Sequence, residues 1–241
     1  MSAVPNFRIE DEARRRIDAA MQERDDVEQQ ARLPLVAVDI HDIAKMTFRP
    51  RQSLLGPWLC SQDLTMVHAA RGIGKTHFAL GVAFAVATGG TFLKWGAPGP
   101  RKVLYLDGEL PGVVMQGRLL IHLGEVEPEP GMLRVFTPDL PEMEGRPLPD
   151  LATQAGQAEI DAMVEDDTAL VVVDNLSAWA RTGAENEAEA WLPIADWALR
   201  LRRRGVALLL VHHDGKNGGQ RGTSKKEDLL DEVIQLSRPA D

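Results

Sequence analysis

From Leu64 onward the chain alternates between short, wholly apolar runs and longer stretches with helical spacing. Leu64–His68, Lys102–Leu106, Met132–Phe136, Ala169–Val173 and Val206–Val211 read as strands, with Leu229–Leu236 as a last one. Thr76–Thr88, Val113–Leu123, Gln154–Glu165 and Ala188–Arg203 read as helices, and Pro138–Pro149 as a proline-rich loop. A strand that is apolar at even and odd positions alike must be covered on both faces. Such strands in alternation with helices predict an α/β fold, with a mostly parallel central sheet flanked by helices.

The pattern before Leu64 is different. Arg8–Arg32 is dense in charge and free of Gly and Pro, with Ile9, Ala13, Ile17, Ala20 and Met21 in a thin stripe at spacings of three and four. It predicts an N-terminal helix over residues 1–32 that is either solvated or packed on a neighbouring subunit or another partner. Leu33–Gln62 is broken by Pro34, Pro50, Gly56 and Pro57 and carries short apolar pieces at Leu35–Val38, Leu54–Leu55 and Trp58–Leu59. It reads as a linker strap over residues 33–62, laid on the surface of a main domain that spans 63–241.

Composition narrows the setting. The 241 residues are 44% hydrophobic and 26% charged, values of a globular domain rather than a disordered chain. Cys60 is the single cysteine, which excludes an intrachain disulfide and points to the reducing cytoplasm. Met1–Glu12 lacks the features of a secretory signal, and the longest apolar helical stretch, Phe78–Ala87, is far below the ~20 residues that span a bilayer. The net charge of −9 gives no global attraction for nucleic acid, although a local basic loop remains compatible with it.

The sharpest chemical signal is Ala69-Ala70-Arg71-Gly72-Ile73-Gly74-Lys75-Thr76, between an apolar strand and an apolar helix. That context is the one a phosphate loop requires. Gly72 and Gly74 let the backbone amides of Ala70 to Thr76 turn toward phosphates, Lys75 can reach the β- and γ-phosphates, and Thr76 can hold Mg2+. The first glycine of the full pattern is replaced by Ala69. The strap is expected to end near this nucleotide site. Ala169–Val173 leads into Asp174, an acidic strand end suited to the same metal ion. Asn175 follows it, so the general base must come from elsewhere. Val103–Leu106 ends in Asp107-Gly108-Glu109, where Glu109 either orients the attacking water or caps the next helix.

These blocks, with Leu210-Val211-His212-His213, resemble in order and spacing the RecA-like P-loop ATPases, in particular the plasmid RepA-type hexameric helicase branch among the AAA-family ATPases of mobile elements. The resemblance spans Leu64 to about Leu236. It implies ATP and Mg2+ as ligands, Glu109 as catalytic base, and His213, less surely His212, as the γ-phosphate sensor. It further implies a homo-oligomer of ring-hexamer type and a role in plasmid or mobile-element replication. Members of that branch continue beyond the equivalent of Ser237–Asp241, so either a C-terminally truncated or a minimal version of the ATPase domain is expected.

Lys216, Arg221, Lys225 and Lys226 lie in a glycine-rich, acid-free segment after this strand. It reads as a solvated loop, as a contact to the phosphates of single-stranded DNA, or, through Arg221, as a trans-acting finger. Glu185, Glu187 and Glu189 would repel DNA from the neighbouring loop, which keeps a second reading in view: a nucleotide-dependent switch that binds a protein partner. Trp179, Trp191 and Trp197 are expected as packing anchors.

Overall fold

The computed structural model describes residues 19, 21–22, 36–125, 127–182, 187–213 and 228–238, with 187–190 as backbone alone. Nearly all of the expected helix Arg8–Arg32, the acidic Glu185 and the basic residues Lys216, Arg221, Lys225 and Lys226 lie outside the described residues.

The elements in chain order are α1 (Ile40–Ile43), β1 (Ser53–Leu55), β2 (Leu59–Cys60), β3 (Leu64–Ala69), α2 (Lys75–Thr88), β4 (Thr91–Phe92), β5 (Trp95–Gly96), β6 (Lys102–Asp107) and α3 (Gly112–Leu123). They continue with β7 (Leu133–Phe136), α4 (Asp139–Met143), α5 (Gln154–Asp161), β8 (Thr168–Asp174), α6 (Leu176–Trp179), α7 (Glu187–Arg204), β9 (Ala207–His213) and β10 (Glu232–Gln235). Six of these strands form one sheet in the order β10-β3-β9-β8-β6-β7, and every neighbouring pair is parallel. The α/β fold is thus as expected, and its central sheet is wholly parallel. β1–β2 and β4–β5 are small antiparallel hairpins.

Alternation along the strands sorts the core into two layers. Val67, Val103, Tyr105, Leu170, Val172, Leu209 and Val211 pack with α2 on one face. Met66, Leu104, Leu106, Val171, Val173, Leu208 and Leu210 pack on the other face with Ile160 of α5 and with Trp191, Ile194, Trp197 and Leu201 of α7. Trp179 and Trp197 are fully buried, the anchors expected of them. The helix α2 is apolar all round because it is enclosed on all sides. The sheet covers one side, while Leu54, Leu55 and Leu59 of the first hairpin and Phe92 and Trp95 of the second join the same cluster. Phe92 lies against Gly81, where an added Cβ would stand 2.1 Å from its ring.

Two local expectations are corrected. Pro138–Pro149 is not a plain loop: it opens with α4. Pro141 sits in the first turn of that helix, where its missing N–H has no intrahelical bond to lose. The helix expected to reach Glu165 ends at Asp161. Glu165 leaves it to accept from Lys102 Nζ at 2.9 Å and Arg134 Nη1 at 2.6 Å, tying the segment to the starts of β6 and β7.

The side chain of Asp150 accepts from the amides of Ala152, Arg181 and Thr182 and from the Thr182 hydroxyl, so it pins the chain leaving α6. Its carboxyl is held below its ordinary range by those bonds, against the opposing effect of burial. Gly156 of α5 faces the backbone of this knot, and an added Cβ would stand 2.2 Å from the Asp150 carbonyl oxygen. Gly156→Ala should therefore destabilise the protein, although alanine favours a helix by about 1 kcal/mol over glycine. Overpacking against backbone costs about 1–3 kcal/mol or more. Thermal unfolding should show a lower Tm than wild type; an equal or higher Tm would show that the knot yields freely.

Candidate nucleotide site

Strand parity decides which polar residues meet. Asp107, Asp174 and His213 each continue the series that faces α2, namely Val103–Tyr105, Leu170–Val172 and Leu209–Val211. All three stand at the C-terminal ends of parallel neighbours, the end of an open α/β sheet where ligands bind. His212 has the opposite parity, so His213 is the member of the pair that reaches the site.

The loop after β3 has the backbone that phosphate binding needs. Gly72 and Gly74 have φ of 78° and 102°, a left-handed region open to glycine, and an added Cβ at either would meet nothing within 4 Å. The requirement is conformational rather than steric crowding. Gly74 is the N-cap of α2 and has no side chain to satisfy the first amides, which leaves the positive end of the helix to a ligand. Lys75 is buried, and its Nζ donates to the carbonyls of Ala69 at 2.7 Å and Ala70 at 2.9 Å. The ammonium is held inside the loop it would serve.

Thr76 and Asp174 face each other directly, with the Thr76 side chain bonded to the Asp174 carboxylate. Asp174 also accepts from the Tyr105 hydroxyl at 2.7 Å. Burial pushes its carboxyl up from the ordinary value, and the bonds from Tyr105 and Thr76 oppose that rise. A half-buried hydroxyl and a buried carboxylate facing each other form an oxygen donor pair of the kind Mg2+ accepts, with phosphates and water completing its shell. The two residues fit the metal assigned to them.

Glu109 is half exposed, and its Oε2 lies 3.6 Å from His213 Nε2. It does not cap α3. The first amide of that helix, Gly112 N, donates instead to Asp139 Oδ2 at 2.8 Å. The turn before it is closed by Asp107, whose Oδ1 accepts from the amides of Glu109 and Leu110, each at 3.2 Å. The carboxylate of Glu109 is therefore left facing the site. Asn175 completes the group. Its Oδ1 accepts from Ala178 N at 3.1 Å, so its Nδ2 is the atom 2.9 Å from His213 Nε2.

Lys75, Thr76, Asp174, Glu109 and His213 are thus brought to one strand-end cluster, with Ala70, Arg71, Gly72, Ile73 and Gly74 forming the loop beside it. Tyr105, Asn175 and the turn-closing role of Asp107 were not anticipated. Tyr105 was findable: it pairs with Val172, two residues before Asp174 on the same face, a diagonal within reach of a long side chain.

Burial raises the Asp107 carboxyl to about 6, and the amide bonds from Glu109 and Leu110 only partly offset this. The folded state then binds this proton more tightly than the unfolded chain, so Asp107 costs stability increasingly as pH rises through about 6. Asp107→Asn keeps the Oδ1 acceptor and removes the charge. It should raise stability at pH 8 by about 1–3 kcal/mol and flatten the slope between about pH 4 and 6, where the folded and unfolded chains differ in bound protons. Denaturant titrations at both ends of the range measure this, and a lower stability at pH 8 would count against it.

Comparison with known proteins bears on the family and the fold. The family model of an AAA domain, AAA_25, matches residues 28–219. Among solved structures, the fold is similar to that of a KaiC-like protein from the hyperthermophilic archaeon Pyrococcus horikoshii OT3, with a TM-score of 0.50 and 13% identity over 76% of this chain and 74% of that one. A RadB recombinase is similar with a TM-score of 0.44 and 18% identity, over 73% of this chain and 74% of that one. No curated protein matches the sequence. No helix among the described residues is long and apolar enough to cross a membrane. With its phosphate loop opening a wholly parallel sheet of RecA-like fold and the family match across most of its length, the chain belongs to the AAA_25 family of AAA domains.

Proposed function

We propose that the chain binds ATP with Mg2+ and hydrolyses it as a homo-oligomeric, RepA-type DNA helicase motor in the replication of a plasmid or mobile element. The observation that carries the hydrolytic part is the convergence of Glu109, His213, Asn175 and the Thr76–Asp174 pair at adjoining strand ends. Lys75 and the loop amides hold the phosphates. Thr76 and Asp174 would hold Mg2+, which would supply positive charge to the phosphate oxygens. Glu109 accepts a hydrogen bond from the attacking water and takes its proton. His213, beside Glu109, would meet the γ-phosphate of a bound nucleotide.

Two substitutions test this pair of roles. Lys75→Ala should weaken ATP binding by about 10- to 100-fold, the value of a lost charge-assisted bond. Equal affinity by calorimetry would remove the loop assignment. Glu109→Gln should leave ATP binding near wild type and slow turnover by about 10²-fold or more, since glutamine cannot take a proton. Unchanged turnover would return Glu109 to a purely structural role.

The DNA part rests on Lys216, Arg221, Lys225 and Lys226, which follow directly on the strand that ends at His213. The second reading, a regulatory switch that binds a protein partner, is favoured by the net charge of −9 and by Glu185, Glu187 and Glu189. ATP turnover measured with and without single-stranded DNA separates the two. The motor requires stimulation that fades with salt, as phosphate contacts do. Turnover indifferent to DNA at low salt selects the switch.

A further inference from the structure

One carboxylate at the strand ends is only half used. Asp107 is 1% exposed, and its two oxygens have different surroundings. Oδ1 closes the turn by accepting from the amides of Glu109 and Leu110, each at 3.2 Å. Oδ2 is enclosed and meets no donor, and among the described residues it is the one buried carboxylate oxygen in that condition. Such an atom is costly, because the water it lost on folding has not been replaced. Asparagine would close the turn equally well through its own Oδ1. Turn closure therefore does not account for the second oxygen or for the charge.

The position of Asp107 does account for them. It is the register partner of Asp174 on the adjoining parallel strand, about 4.8 Å away across the sheet. Both residues continue the series that faces α2, so the two carboxylates leave the sheet side by side on one face. The charge of Asp174 acts on Asp107 accordingly. Asp174 is met by the Tyr105 hydroxyl and the Thr76 side chain, whereas Oδ2 of Asp107 has no such donor. Arg118 of α3 acts on Asp107 electrostatically, yet gives Oδ2 no hydrogen bond. Two like charges side by side in an enclosed place call for a cation or its donors.

We propose that Asp107 Oδ2 accepts a hydrogen bond from a water of the Mg2+ shell, as a second carboxylate for the ion assigned to Thr76 and Asp174. The inference rests on that metal reading. Mg2+ gives up its waters reluctantly and keeps several of them when bound. Among the described residues no three His, Cys, Asp or Glu side chains are grouped so as to hold an ion by themselves, so Asp107 acts through water rather than as a direct ligand. Partners of this outer kind orient what the ion holds. Asp107 is thus a positioning residue. Because its other oxygen closes the turn that bears Glu109, one side chain links the metal shell to the placement of that carboxylate.

Asp107→Asn tests this. The variant keeps Oδ1 for the turn and sets an NH2 group where Oδ2 stood, a donor facing a donor. Mg2+ is titrated into the full chain with a non-hydrolysable ATP analogue, and binding is read by calorimetry. The half-saturating Mg2+ concentration should rise by about 10- to 100-fold. Binding of the analogue in EDTA should be unchanged or tighter, since a negative charge near the phosphates has been removed. Mn2+ in place of Mg2+, followed by loss of the free-ion EPR signal, should show the same weakening without any turnover. An unchanged half-saturating concentration would overturn the inference. So would analogue binding weakened equally with and without metal, the result of a merely structural role. Wild-type binding indifferent to Mg2+ would remove the Thr76–Asp174 metal reading itself, and the inference with it. Denaturant titration of the same variant reports its folding separately.

Discussion

The arrangement depends on a carboxylate, Asp174, buried at the end of an apolar strand. A charge in that position is costly unless it is met by donors. Here the donors come from both sides: the hydroxyl of Tyr105 on the neighbouring strand and the side chain of Thr76 on α2. Meeting that demand fixes where the phosphate loop stands relative to the sheet, because Thr76 follows Lys75 in the first turn of the same helix. The Asp174 carbonyl adds a further tie by accepting from Gly108 N at 2.7 Å, which draws the turn bearing Glu109 toward the same strand end. The closeness of that turn explains Gly108, where a Cβ would stand 2.8 Å from both Ala178 and Trp179.

Most of the frame was legible because it is governed by burial. A strand such as Ala169–Val173, apolar at every position, can only be enclosed, and enclosure by helices on both faces requires a parallel sheet. The same logic extends to the site further than motif spacing does. Once alternation assigns Leu209 and Val211 to the α2 face, His213 follows them and His212 cannot. The lysine, threonine and acidic positions were legible for a different reason: their spacing encodes a loop between a strand and a helix, which is a local structure.

What was not legible depends on contacts distant in sequence. The short hairpins β1–β2 and β4–β5 offer only two or three residues per strand, too few for a period to show, and exist because α2 needs a cover on its outer side. The separation of roles between Asp107 and Glu109 is likewise tertiary. Sequence leaves a carboxylate before a helix open to two uses, base or cap. The amide at the start of α3 is met instead by a third residue, Asp139, from 27 positions away. Asn175 could be recognised as a helix cap, but its second bond, to His213, spans 38 positions and crosses between strands.

These long-range contacts leave Glu109 in a particular mechanical position. It sits on a short turn between two stiff bodies, the buried strand β6 and the helix α3, with Asp107 closing the turn from the strand side and Asp139 closing the helix start. Packed strands and helices deform little, so a displacement of α3 is taken up where the chain between them is shortest and least buried. That place is Glu109 and Leu110. The carboxylate facing His213 is therefore the part of the site most sensitive to whatever rests on the outer face of α3. The Thr76–Asp174 pair, held within the core by Tyr105, is shielded from it. The Thr76–Asp174 pair and Glu109 are in this way supported by different parts of the fold, one by the enclosed sheet and the other by a helix whose far side is apolar and bare.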